Sequence, residues 1–273
     1  MKHTRFLLIL FLVAGLFAVA GTGLSKEKAS SYMQQGKSKG IPAAVPKSER
    51  PALAILKFIN TSSQKGGERF RPWEYGIPAM LTTDLEQTSM FIMVERLRLN
   101  DILREHEMQQ AGLTDPATAL AVGKLATAKY VLSGTFMVTG QELRIHVQVF
   151  SVEGGTLLGE ASAKGRVDRF FLVEKDAFVK VTRVLNIMLE EEKQARIVGA
   201  VETKSLEASL KNYSGETALI KVHELEKTGN RREIAELMKY AKQMFTEALE
   251  FDPGYDRAKI NISRMINAIP MTL

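Results

Sequence analysis

The stretch KYVLSGTFMVTGQELRIHVQVFSVEGGTLLGEASA, Lys129 to Ala163, decides the kind of fold this chain adopts. In its middle, Leu143, Ile145, Val147 and Val149 alternate with Arg144, His146 and Gln148. A period of two puts the apolar set on one face of a pleated strand and the polar set on the other. That is the pattern of a half-buried antiparallel strand. Thr139-Gly140-Gln141 separates it from an apolar run before it, Lys129–Val138, and Glu153-Gly154-Gly155 separates it from Thr156–Ala163 after it. Both separators carry turn residues. Residues 129–163 are therefore predicted to form a three-stranded meander.

Upstream, the pattern changes between strand and helix. ALAILKFIN, 52–60, is mostly apolar and reads as a buried strand. Thr61 to Gly67 is a polar loop. Pro72 to Thr88 reads as a helix, with Ile77, Leu81 and Leu85 four residues apart and Met80 beside them. Met90 to Val94 is a short apolar strand. Leu99, Ile102 and Leu103 then recur at helical spacing, with Arg98, Asp101, Arg104, Glu105 and Glu107 between them as a solvated face. Leu113-Thr114-Asp115-Pro116 carries a helix-start signal, since Thr or Asp can cap free N–H groups and Pro suits the first turn. A helix of small residues follows over Ala117–Ala126.

Downstream, Asp168 is expected to open a long helix running to about Gln194, with Leu172, Phe178, Val181, Leu185 and Met188 as its apolar stripe. The predicted order is β-α-β-α-β-β-β-α: an α/β fold with a mixed sheet and packed helices. The last third contains no strand pattern. Two helices, 205–226 and 231–250, are joined at Thr228-Gly229-Asn230, and a shorter one follows Asp252-Pro253-Gly254. The expected division is a signal peptide at 1–20, a flexible linker at 21–50, the α/β domain at 51–195 and an all-α helical segment at 196–273.

The signal peptide is read from Met1 to Ala20. Lys2 and Arg5 precede the unbroken apolar run FLLILFLVAGLFAVA, which ends in Ala18-Val19-Ala20, the small-x-small pattern of a cleavage site. Fifteen apolar residues fall short of the about 20 that a membrane-spanning helix needs. An uncleaved N-terminal anchor is the alternative. The formal net charge of +6 becomes +4 when Lys2 and Arg5 leave with the signal. Mildly basic, scattered charge supports solubility rather than nucleic-acid binding. The chain has no Cys, so disulfides, thiol catalysis and cysteine metal sites are excluded. A bacterial lipid anchor, which requires a Cys at the cleavage site, is excluded with them.

No catalytic motif emerges. The histidines, at 3, 106, 146 and 223, lack metal-binding spacing. His146 falls on the outer face of its strand, and His106 sits between Glu105 and Glu107. Gly154-Gly155…Gly159 lies between strands, whereas a phosphate loop leads into a helix. There is neither GxSxG nor GKS/GKT. No catalytic, cofactor or metal residue is assigned. Val94-Glu95-Arg96 is read structurally: the strand ends, and Glu95 sits favourably at the positive end of the next helix.

Those residues also carry a resemblance. An apolar strand ending in Val94-Glu95-Arg96, then Leu99, Ile102-Leu103 and Glu105, with Gln109-Gln110-Ala111-Gly112 at the helix end, is similar to the CsgG/HfaB family of the curli secretion channel. ALAILKFIN resembles that family's first strand, and Gly76-Ile77-Pro78-Ala79-Met80-Leu81 its first helix. Ala121-Val122-Gly123-Lys124-Leu125, continuing through Ala128-Lys129-Tyr130-Val131-Leu132-Ser133-Gly134, resembles its following segment. The likeness covers about 52–190. Ala241, Phe245, Ala248 and Asp252-Pro253 resemble the second helix of a tetratricopeptide repeat. A single repeat cannot bury its apolar face alone, so this segment should dock on the sheet domain, a second subunit or another protein.

The chain departs from the curli channel in having no Cys and no long hairpins for a membrane barrel. The resemblance therefore implies the periplasmic domain without the pore. The expectation is a non-enzymatic, exported envelope protein. It would act in assembly or secretion through contacts with envelope or outer-membrane proteins or with further copies of itself, with no cofactor. A ring-forming subunit of an outer-membrane secretion complex and an envelope-polymer hydrolase with paired carboxylates are the competing readings.

Overall fold

An interior strand shows why its sequence is apolar without interruption. In β1 (Ala52–Ile55), Leu53 and Ile55 point into one core while Ala54, and Leu56 just beyond the strand, point into another. A strand covered on both faces has no polar side. This is a computed structural model, and it describes residues 46–63, 66–106, 115–226 and 229–268. The expected signal peptide, the linker up to residue 45, the helix end at Gln109–Gly112 and the start signal at Leu113-Thr114 lie outside the described residues.

The sheet runs β3-β1-β4-β5-β6, with β2 (Ile59–Asn60) pairing with β4 beside β1. β3 is Ile92–Met93, β4 is Tyr130–Thr139, β5 is Glu142–Ser151 and β6 is Thr156–Arg166. β3, β1 and β2 make parallel pairings, while β4, β5 and β6 form the antiparallel meander read from the sequence. Leu143, Ile145, Val147 and Val149 all enter the larger core, as their alternation requires.

Helices cover both faces. α1 (Trp73–Thr88), α4 (Phe170–Val184) and α5 (Glu191–Gly199) contribute to the larger core. α2 (Arg96–Glu105) and α3 (Pro116–Leu125) cover the other face with Leu99, Ile102, Leu103, Ala119 and Val122. Asp115 caps α3 by accepting from the Thr118 backbone N–H at 2.9 Å, with Pro116 in the first turn. α6 (Leu206–Glu226), α7 (Arg231–Phe251) and α8 (Asp256–Ala268) complete the chain. Among the described residues no helix is long and apolar enough to cross a membrane.

Three expectations need correction. The strand over 52–60 is two strands: Ile55 lies opposite Leu132, but Ile59 lies opposite Thr135. One extra residue on the first side makes a bulge, and its cause lies in α1. Pro78 is inside that helix and has no N–H for the Glu74 carbonyl. The Phe58 N–H donates to that carbonyl instead, at 2.9 Å. The strand expected over 90–94 is only Ile92–Met93.

The helix expected over 168–194 is also two helices. Asn186 adopts a left-handed φ of 53°. Its N–H bonds to Arg183 O at 3.0 Å, and that of Ile187 bonds to Thr182 O at 2.8 Å. This is the double closure of a Schellman stop. The stripe shifts accordingly: Phe178 and Val181 are fully buried, but Leu172 is half exposed and Met188 is 93% exposed.

The helical segment docks on the sheet domain, the first of the three expected possibilities. Trp73 Nε1 donates to Ser209 Oγ at 3.0 Å, and the Tyr213 ring lies against Gly76. A Cβ on Gly76 would sit 2.7 Å from Tyr213 Cδ2. Gly76→Ala is thus predicted to lower stability by about 1–2 kcal/mol in urea denaturation, the overpacking cost exceeding the about 1 kcal/mol helix-propensity gain. An equally or more stable variant would show that the two bodies are not in tight contact.

A candidate binding cleft beside the docked helices

The docking of α6 on α1 leaves an open cleft of about 610 Å³ on one side of the seam. One wall comes from the β1–β2 bulge and the start of α1: Lys57, Arg71 and Tyr75. The other comes from α6 and α7, where Ile220, Leu237 and Tyr240 form the apolar part. The bulge places Lys57 there, and its Nζ holds Glu74 at 2.8 Å. Tyr240, also in the lining, is 45% exposed. Lys221 and Glu224, one helical turn apart, add opposite charges to the lining. An apolar wall with polar groups of both signs suits a segment of protein chain.

On the opposite side of α6, partly buried polar groups tie α6 to α8 and to Glu202 before it. Arg257 from α8 donates to Glu216 through Nε at 2.6 Å and Nη2 at 3.2 Å, and to Glu202 through Nη1 at 3.0 Å. Tyr213 OH donates to Glu202 at 2.9 Å. Asn261 donates to Asn212 and to Glu216, each at 3.0 Å. Every carboxylate in this cluster therefore has a cation or a donor.

A second cluster lies between α1 and α4. Lys175 Nζ donates to both Asp84 oxygens, at 2.6 and 2.7 Å, with Glu174 Oε2 at 3.7 Å. Glu174 Oε1 has no partner. Burial, and then the neighbouring Asp84 carboxylate, push the Glu174 carboxyl well above the ordinary glutamate range. Burial also raises Asp84, against the pull of Lys175. The pair retains a proton that two exposed carboxylates would lose.

The residues singled out by sequence fall in the two cores, at a helix start, between packed helices and in a turn. Val94 packs against the second core, and its N–H bonds to Leu53 O at 2.9 Å. Glu95 is the N-cap residue of α2, without a side-chain cap bond. Arg96 turns inward rather than staying beside Glu95: its Nη1 donates to Tyr75 O at 3.0 Å, and its guanidinium lies over the Tyr75 ring. That reach of 21 residues back along the chain leaves no local signal. Leu99 and Leu103 are in the second core. Gly123 lets α3 pass over Val131 and Val152, and Gly134 lets the Phe58 ring cross β4. Ala241, Phe245 and Ala248 are fully buried between α7 and its neighbours, and Pro253 is exposed in the turn before α8.

The paired carboxylates that a polymer hydrolase would need are present, but in the wrong place. Asp84 and Glu174 are 1% and 2% exposed and out of reach of a substrate. The sheet also unites residues that the sequence kept apart. His146 Nδ1 is 2.9 Å from Ser162 Oγ, and its Nε2 is 3.7 Å from Glu160. They lie on an open, flat strand face rather than at the turn or helix start that supplies oxyanion donors. Among the described residues no group of three or more His, Asp or Glu is placed to hold a metal ion.

The family model described as curli production assembly/transport component CsgG matches residues 33–241. No curated protein matches the chain. Among solved structures, the chain is similar to the LpoB C-terminal domain from Salmonella enterica, at 14% identity and a TM-score of 0.32, over 50% of this chain and 91% of that one. It is similar to lipoprotein GNA1162 from Neisseria meningitidis, at 15% identity and a TM-score of 0.35, over 42% of this chain and 80% of that one. It is also similar to the PelC dodecamer from Paraburkholderia phytofirmans, at 13% identity and a TM-score of 0.30, over 52% and 90%.

The buried acid pair has a consequence for stability. Because folding raises the Glu174 pKa, the native state binds the extra proton, and stability falls as pH rises from the ordinary value of 4.5 toward the raised one. Glu174→Gln should flatten that fall and be at least as stable as the parent at pH 8 in urea titrations. Lys175→Met should cost about 3–5 kcal/mol, since it leaves Asp84 buried without its cation. A Glu174→Gln variant with the parent's pH dependence would refute the assignment.

Proposed function

The chain belongs to the CsgG family, and from that premise we propose that it is an exported, non-enzymatic adaptor of the cell envelope. It enters the periplasm by its N-terminal signal peptide and acts beside the outer membrane, in assembly or secretion. Its partner is an envelope or outer-membrane protein. The α/β domain, 51–195, and the tetratricopeptide-like helices, 196–273, bind that partner together. It carries no lipid, having no Cys, and needs no cofactor or nucleic acid.

The observation that carries this reading is the cleft. It exists only because helices α6 and α7 are fixed against the sheet domain, and each side contributes one wall. The cluster around Arg257 supports the same reading, because it fixes α6, which carries part of one wall, against α8 and Glu202 before a partner arrives. An apolar lining with a half-exposed Tyr240 among charged groups fits the anchor-and-rim build of protein-binding sites.

The protein recovered from the envelope is predicted to have the mass of one or two chains by light scattering, unchanged by detergent. A photo-reactive residue at position 240 should capture a discrete envelope protein. Leu237→Glu should reduce that capture at least tenfold while leaving the circular dichroism spectrum intact. A large detergent-dependent ring, or capture unaffected by Leu237→Glu, would sink the adaptor reading.

A further inference from the structure

β6 is the last strand of the sheet, and among the described residues it pairs with β5 alone. It is 11 residues long and contains no Pro. Its irregularity lies at its start, where Val149 is opposite Gly159 but Phe150 is opposite Leu157. From Gly159 onward the strand is regular. One face lies under α4, where Ala161 and Ala163 are buried and Gly165 meets Val173. The other face is open and carries Glu160, Ser162, Lys164 and Arg166.

The backbone direction along this edge can be fixed. The Val167 N–H bonds to Gln141 O at 2.8 Å, so residue 167 faces β5. Alternation then turns residues 166, 164, 162 and 160 outward. Lys180 Nζ, reaching from α4, donates to Ser162 O at 2.7 Å, which agrees with a carbonyl pointing away from β5. That oxygen keeps a second lone pair for another donor.

We propose that this edge pairs with the same edge of a second copy, antiparallel, about a twofold axis through Ser162. In that register each Glu160 lies opposite the other copy's Lys164, and the two Ser162 residues exchange backbone hydrogen bonds. The outward residues 160, 162 and 164 would give about six inter-chain backbone bonds. A one-residue shift of the axis would bring Glu160 to Arg166 instead. Arg166, however, is held by Asp168 through two bonds, at 3.0 and 2.8 Å. Lys164 has no ion pair among the described residues. The unengaged cation therefore selects the Ser162 axis. A single lysine on an edge discourages pairing, but a lysine four residues from a glutamate becomes self-complementary under a twofold axis.

The absence of Cys from the chain makes the test direct. Ser162→Cys provides a lone thiol on the axis, within reach of its symmetry mate, since opposed strand residues lie at disulfide distance. Thr156→Cys, about 40 Å from its mate in this register, is the control. In the exported full chain, mild oxidation should convert Ser162→Cys, but not Thr156→Cys, to a reducible dimer. Light scattering should show the mass rising from one chain to two with concentration. Glu160→Lys should weaken the dimer roughly tenfold, because both symmetric pairs become repulsive. Glu160→Lys with Lys164→Glu should restore it. All these positions are exposed, so unchanged thermal melts would show that the variants fold. A chain that stays monomeric at every concentration, equal cross-linking at both cysteine positions, or no recovery in the doubly reversed variant would overturn the proposal.

Discussion

The contact between α1 and α6 organises the molecule. The Tyr213 ring can approach the α1 backbone because residue 76 has no side chain, and Trp73 can bury its indole because Ser209 accepts the N–H. Each requirement is local, but both lie within about one turn of each helix. They set the distance between two bodies that would otherwise need separate cores. Tyr213 belongs to the same apolar cluster as Leu53, Phe136 and Phe178. The helical segment is thus an extension of the sheet's core. The cleft, the Arg257 cluster and the position of α8 all follow from that spacing.

Charge plays different parts in the two clusters, which adjoin at Glu202. Around Arg257 the donors and acceptors are matched, so desolvation is offset by directional bonds. Such a cluster resists sliding, because a displacement leaves partly buried groups unpaired. The Asp84–Lys175–Glu174 group is not matched in this way: one carboxyl oxygen has no partner. Replacing such groups with apolar ones is often neutral or stabilising in proteins. Its persistence therefore cannot be explained as a simple gain in stability, whereas the matched cluster can be explained by the geometry it enforces.

How much of this could be read from the sequence follows from the range of each signal. The meander was legible because alternation and turn residues are local properties. Asp115-Pro116 marked a helix start for the same reason. What was missed depended on distant partners. Pro78 gives no hint that Phe58, 20 positions earlier in the chain, will satisfy the carbonyl it orphans. The apolar run 52–60 then reads as one strand although it contains a bulge. Asn186 does have a sequence-level meaning, since Asn tolerates left-handed backbone. The surrounding apolar spacing outweighed it, and one long helix was expected. Val94-Glu95-Arg96 reads as a strand end and helix start, and nothing beside Arg96 signals its bond to Tyr75 O. The cleft was not legible at all: its walls are more than a hundred residues apart in sequence.

The two ends of the sheet are built differently, and the difference bears on how such a chain can meet others. At the β3 edge only two residues pair with β1, and the chain turns at once into α2. A partner strand would find too few free groups there. The β6 edge offers a regular run from Gly159 to Arg166, with its bulge confined to the other end. Edges of that length are ordinarily guarded by like charge, proline or a covering loop. Here Glu160 and Lys164 are opposite in sign four residues apart, which disfavours a parallel neighbour in register and not an antiparallel one. The cleft and the β6 edge lie on different elements, one formed with α6 and α7 and the other beyond α4. Occupying one surface need not obstruct the other, so a dimer joined through β6 would carry two clefts, one for each copy.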